Sequence, residues 1–488
     1  MADGVTDVGT REVEDVYVRF LENGKASNKF VRLKECPNSK APGVLQAIEE
    51  AVKEVDQNWK QKTVSLGSDG ASVMVGKNSG VYVLLKREIP YLLSLHCVAH
   101  KLELAIQDAA KDVVLFREAK ELLQGLWKYY HYLPKAVREL KDLAQTMGDR
   151  AYRTVKADGT RWVPHLERAL TVLLTKNFQL IVLHFEHAVE ARDSSKDMQG
   201  RAENYLKKLK SYKFLAFLHL LLDVTKEFSH ASLLFQKNDV SVPEIQDRVN
   251  TLNAALDAMQ VRPGTHLREF QQSVGEDGTF KEIRLTRQPN DVVSFTNIRE
   301  SLINATKQYM NNRFSNFVQD PVLKAVATVS DPLGWPKDRG QLLTHGEDDI
   351  NVLIDHFNPV LVNHGFSTSD CLHEWLELKM HVLRRQERVS VRPFWKEMFT
   401  SYSDRFPNLL MLAEICLVLP VQTACCGRGN SCLAHIMTDW RASLNVDTLE
   451  ALMNILMNGC GFQEYDAARA VQRWLTSGER LKQPEFRD

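Results

Sequence analysis

Val64-Ser65-Leu66-Gly67-Ser68-Asp69-Gly70-Ala71 is a short apolar run that ends on a carboxylate followed by glycine. Apolar and branched residues closed by a turn pair read as a buried strand. Upstream, Pro42 opens a helix in which Val44, Ile48, Val52, Val55 and Trp59 recur on one face. Before it, Val16, Val18 and Phe20 alternate with Tyr17, Arg19 and Leu21. Asn23-Gly24 then turns the chain toward Phe30-Val31-Arg32-Leu33, the pattern of a β-hairpin. Downstream, a second helix runs to about Arg87, residues 91–96 read as another strand, and Val98, Leu102, Leu104 and Ile106 mark a further helix. Hairpin, helix, strand, helix, strand, helix predicts an α/β layer.

Beyond residue 113 the pattern changes to long helices. Ile245, Val249, Leu252, Leu256 and Met259 are spaced four, three, four and three apart behind Pro243, and Leu166, Leu170 and Leu173 do the same after Trp162. Residues 264–291 carry glycine, proline and mixed charge, and read as a loop or linker. Residues 409–421 form an apolar run that ends in a small, cysteine-rich turn. Asp447-Thr448-Leu449-Glu450 reads as a capping box that starts the last helix, with Leu449, Leu452, Met453 and Leu456 facing inward and Gly459 as its stop.

The 488 residues hold 62 Lys and Arg against 62 Asp and Glu, with 44% hydrophobic and 25% charged positions. This balance excludes a largely disordered chain, a collagen-like repeat and a basic nucleic-acid tail. Polyanion binding would have to come from local charge segregation. Neither of the longest apolar stretches, 214–222 and 409–421, reaches the ~20 residues that cross a bilayer. Met1-Ala2-Asp3-Gly4 does not read as a secretory signal. The eight cysteines contain no CxxC pair, so neither a disulfide framework nor a four-ligand zinc module is signalled. A soluble, intracellular chain without a membrane partner is expected.

Several residues could carry chemistry. Asp3 and Asp69 each accompany a strand-like segment, and carboxylates at one end of a sheet are suited to Mg²⁺, a hard cation that prefers oxygen ligands. Asp-Gly after a strand is equally an ordinary turn. Cys97 and His100 have metal-ligand spacing but no second pair, and a local cap at a strand-to-helix junction explains them as well. Arg161-Trp162 could stack an unpaired base and meet a phosphate, or Trp162 could be a core residue. Arg201, Lys207, Lys208, Lys210 and Lys213 form a basic cluster that reads first as a solvated helix face. No nucleophile elbow, phosphate loop or dinucleotide fingerprint occurs.

Taken in order, the segments form a joint pattern. They are Asp3-Gly4-Val5-Thr6-Asp7, then Ser68-Asp69-Gly70-Ala71-Ser72-Val73-Met74-Val75-Gly76-Lys77, then Leu95-His96-Cys97-Val98-Ala99-His100-Lys101-Leu102-Glu103-Leu104. Thr160-Arg161-Trp162, Leu419-Pro420-Val421-Gln422-Thr423-Ala424-Cys425-Cys426 and Trp440-Arg441-Ala442-Ser443-Leu444 follow. The chain resembles the hAT superfamily of DNA transposases, and within it the vertebrate group of zinc-finger or hAT C-terminal dimerisation domain proteins. The resemblance implies an α/β RNase H-like core interrupted by a large all-α insertion, and a C-terminal hAT dimerisation segment. The core's first part is expected over 1–112, the mainly helical insertion over 113–400, core completion and dimerisation over 401–465, and a tail over 466–488.

By the same resemblance Asp3 and Asp69 match two catalytic, metal-binding carboxylates. Cys97, His100, Arg161 and Trp162 match positions associated with DNA, Trp162 with a flipped base. Trp440, Arg441, Leu444, Leu449, Leu452, Met453 and Leu456 fall in the dimerisation segment. The third carboxylate position is Gly427, which offers no ligand atom; the following Phe position is Asn430, and a basic position is Met437. Losing one of three ligands removes both charge and a coordination site. Only Met1-Ala2 precede Asp3, so by the resemblance the strand at the centre of the sheet is expected to be cut short and the group's N-terminal zinc finger to be absent. The expected function is that of a catalytically inactive, domesticated nuclear protein that acts by homodimerisation and contact with DNA or other nucleic acid, needing no cofactor. The alternatives are a Mg²⁺-dependent transposase or nuclease that recruits a substitute acid such as Glu414, and an unfolded product of a truncated gene.

Overall fold

The computed structural model describes residues 1–7, 10–159, 161–190, 196–385, 387 and 389–476. The chain is mostly helical, 67%, with small sheets. It divides into two units: residues 1–18, 28–59 and 425–488 form one, and residues 19–27 and 60–424 the other.

The first unit is built on a three-stranded sheet ordered β1 (Ala2–Thr6), β2 (Glu12–Glu22) and β3 (Lys25–Glu35). Asn23 and Gly24 both take positive φ, +50° and +71°, the geometry a tight hairpin turn demands and Asn-Gly tolerates. β1 and β2 run antiparallel, with Ala2 opposite Val16, Asp3 opposite Asp15 and Val5 opposite Val13. β1 lies at an edge of this sheet, and backbone bonds between Met1 and Tyr17 extend its ladder to the first residue.

The helices Ala424–Ile436 and Val446–Asn458 cover one face of the sheet. Val13, Tyr17, Phe30 and Leu33 from the strands meet Cys425, Cys426, Leu433, Ile436, Met437, Leu449 and Met453 in one buried cluster. Asn458 bridges the backbone of Phe30, accepting from its N–H at 3.1 Å and donating to its carbonyl at 2.7 Å. Glu450 accepts from the Leu33 N–H at 3.0 Å. These side chains occupy backbone groups of β3 that would otherwise be open to another strand. Asn445 caps the last of these helices, accepting from Thr448 N at 2.8 Å, and Glu450 is spent on β3; the predicted capping box is therefore replaced.

In the second unit the parallel strands β4 (Ser65–Ser68) and β5 (Leu93–His96) place Ser68 opposite His96. The helix expected between them is broken into Ser72–Val75 and Val81–Glu88 around Gly76 and Gly80. Around this pair stands a helical body. Its central member, Tyr212–Phe235, is buried along most of its length, which is why the sequence there is nearly continuously apolar. The helix Val242–Val261 starts at Pro243 and buries Ile245, Val249, Leu252 and Leu256, as its spacing predicts.

The expected linker 264–291 is ordered instead. Asp223 accepts from the N–H groups of His266 and Leu267, capping the helix Thr265–Ser273 from a distant part of the chain. A hairpin of β6 (Thr279–Phe280) and β7 (Ile283–Arg284) follows it. No helix among the described residues is long and apolar enough to cross a membrane.

Candidate self-association surface and carboxylate positions

The C-terminal elements of the first unit present two faces. Leu449 and Met453, one helical turn apart, are fully buried against the sheet. The sequence placed them in the dimerisation segment; the structure spends them on the unit's own core. Leu452 and Leu444 are half-buried against that core, and the Leu444 carbonyl accepts from Arg11 at 2.8 Å. Trp440 is 96% exposed, Ile455 67% and Leu456 63%, while Arg441 is exposed beside the tryptophan. Exposed apolar side chains of this size are candidates for an association surface.

Sequence reasoning missed the next element. The helix Ala467–Thr476 buries no residue, and its Val471, Trp474 and Leu475 are exposed. Their i, i+3, i+4 spacing puts them on one stripe, a signal present in a stretch read only as a tail.

The carboxylate positions are less simple. Asp3 Oδ2 accepts from Asn430 Nδ2 at 3.0 Å, so the helix that carries Gly427 does reach β1. A Cβ on Gly427 would meet nothing within 4 Å. Asp15, opposite Asp3, is fully buried and neither of its oxygens has a hydrogen bond of good geometry. Burial, then the charge of Asp3, hold its carboxyl well above the usual carboxylate range, and the Tyr17 hydroxyl opposes this only in part.

In the second unit, Asp69 accepts from the Ala71 N–H at 2.9 Å, so its carboxylate caps the turn after β4. His96 and His100 lie near it, with ring centroids 5.6 Å apart. Burial, reinforced by Lys101, His100 and Arg313, pushes the His96 imidazole down to about 4; desolvation also lowers that of His100, against the pull of Asp69. Both rings are thereby kept neutral. Cys97 is buried, and its Sγ accepts from Thr423 N at 3.4 Å, which serves the local packing that the junction reading predicts.

Trp162 is 5% exposed, packs its ring against Phe116 and receives Lys120 over its face. In this state the ring is packed as the core reading expects. Thr160 lies outside the described residues. Arg161 is exposed at the start of the helix Trp162–Thr171, whose Val163 N–H is held by buried Glu103 at 2.9 Å. Of the basic cluster, Lys208 and Lys210 pair with Glu118 and Glu186.

Asp3 and Asp69 each accept a hydrogen bond from the protein, Gly427 supplies no oxygen, and no group of three or more His, Cys, Asp or Glu among the described residues is placed to hold a metal. Glu414, the candidate substitute, lines a cavity with Lys62 and Val64 at the start of β4. Asp69 follows the other end of that strand, ~16 Å of extended chain from Val64.

Residues 372–458 match the model of the hAT family C-terminal dimerisation region, which supports a place for this chain in the hAT family.

Proposed function

We propose that the chain is a catalytically inactive, transposase-derived nuclear protein that works by homodimerisation. The observation that carries this reading is the exposed Trp440, Ile455 and Leu456 in and beside a helix whose Leu449 and Met453 are anchored in its own core. Trp440 and Leu456 lie within the matched dimerisation region. A second copy covering these side chains would remove them from water, at ~25 cal/mol per Å² of apolar area. The antiparallel sheet, the parallel strand pair and the contact of Asn430 with Asp3 support the RNase H-like reading of the core. The missing ligand at Gly427 and the place of Glu414 beside Val64, at the other end of β4 from Asp69, argue against strand transfer.

Size-exclusion chromatography with light scattering on the purified chain should give a dimer, and Trp440→Ser with Leu456→Asp should give a monomer. A clean wild-type monomer at micromolar concentration would overturn the reading. A Mg²⁺-dependent DNA cleavage assay should show no product; cleavage abolished by Asp69→Ala would establish the enzyme instead.

A further inference from the structure

Away from both the carboxylates and the C-terminal surface, the second unit holds a cavity of about 640 Å³, within the ~300–1,000 Å³ range of small-molecule sites. Its floor is aromatic and aliphatic: Trp127 and Tyr130 from the helix Val114–Tyr132, Leu140 from the helix Pro134–Thr146, and Tyr152 from the irregular segment that follows. Its rim is cationic: Arg138, Lys141, Arg150 and Arg153 line it, and no carboxylate does. The nearby acids are engaged elsewhere. Glu139 lies against His184 and Lys135, and Asp149 accepts from the Arg150 N–H.

The aromatic platform is pinned from below. Asn177, completely buried at the end of the π-helical turn Val172–Asn177, accepts from the Tyr152 N–H at 3.0 Å and donates to the Tyr152 carbonyl at 2.6 Å. A buried amide is thus used to fix the backbone under an exposed tyrosine, and π-turns recur at functional sites. The exposed faces already attract cations: Arg150 and Lys176 lie over the Tyr152 ring, and Lys156 over Trp127, whose ring also stacks on His131 at 4.6 Å. Solvated cation–π contacts are weaker than base–aromatic stacking. A planar base can therefore displace such a cation, which is then free to meet the phosphate attached to that base.

The geometry points to a nucleotide-binding site here, with the base stacked on Tyr152 and the phosphate held by the displaced Arg150 with Arg138, Lys141 and Arg153. The assignment is independent of homodimerisation. The same chemistry is offered by a free nucleotide and by one unit of a single strand, and the test separates them.

Fluorescence anisotropy on the full chain would use labelled AMP and a labelled single-stranded oligonucleotide of about 10 nucleotides. Binding of AMP identifies a free nucleotide as ligand; binding of the oligonucleotide alone identifies a strand. In either case Tyr152→Ala should weaken binding about tenfold, and Arg153→Glu should do so while reducing its salt dependence. Both residues are exposed, so unchanged thermal unfolding will confirm that the fold persists. Lys207→Glu makes the same charge change on an exposed face elsewhere and should have no effect. The assignment is overturned if neither probe binds, if inorganic phosphate competes as well as AMP, or if Lys207→Glu weakens binding as much as Arg153→Glu.

Discussion

Asp3 and Asp15 stand directly opposite one another across β1 and β2, and Asp15 is wholly buried beneath the helix Ala424–Ile436. Two carboxylates in that relation cannot both ionise cheaply, and burial selects Asp15 as the one that keeps its proton. The unfolded chain ionises this group near its ordinary pKa of 3.8, so the folded state loses relative stability as pH rises above that value. Asp15→Asn should therefore stabilise the chain by about 1–3 kcal/mol at pH 7. Denaturant unfolding at pH 4 and pH 7 checks this, with the gain shrinking toward pH 4; a variant less stable at pH 7 would refute the buried-proton account.

Gly427 and Gly429, two residues apart in one helix, should respond oppositely to alanine. A Cβ at Gly427 meets open space, so Gly427→Ala should gain about 0.5–1 kcal/mol from helix propensity. At Gly429 the added carbon would collide with the Tyr17 hydroxyl and the Asp15 carboxylate. Gly429→Ala should cost about 1–3 kcal/mol through overpacking. Thermal melts of the two variants side by side decide it, and equal effects would show that the helix does not pack on β2 as described.

The helix Val446–Asn458 separates stability from association. Met453→Ala should cost about 2–5 kcal/mol, since it empties a fully buried site, yet leave the dimer intact wherever the chain is folded. Leu456→Asp should leave unfolding within about 0.5 kcal/mol and weaken the dimer. Light scattering paired with calorimetry reads both. If Leu456→Asp melts early and stays dimeric, Leu456 serves the core and not the interface.

Much of this was legible in local signals. Asn23-Gly24 turned the hairpin, Pro243 opened its helix, and the spacing of Ile245, Val249, Leu252 and Leu256 named its buried face. Readings went astray where a distant residue decides. Asp223 caps a helix in what looked like a linker, and Glu450 is drawn from its capping box to the backbone of β3. For Trp162 the aromatic–basic pattern could not tell a stacking platform from a core ring; only contact with Phe116 does. The dimer segment was visible as a stretch, but its inward and outward faces depend on where the sheet lies.

Glu103 links the helix Val98–Asp112 to the start of the helix Trp162–Thr171 by accepting from Val163 N. Burial pushes its carboxyl up to about 7, against the pull of that N–H and of Arg161. Below pH 4.5 the group is protonated in folded and unfolded chains alike. Between about 4.5 and 7 the folded chain holds a proton that the unfolded chain has released, so this contribution to stability falls as pH rises. Glu103→Gln keeps an oxygen acceptor for Val163 and removes the titration. The variant's stability relative to wild type should climb by about 1–3 kcal/mol from pH 4.5 to pH 7.5 and then level off. Thermal unfolding across that range measures the difference directly. A difference that stays constant from pH 4.5 to pH 7.5 would show that Glu103 is ionised throughout and holds the helix start as a carboxylate.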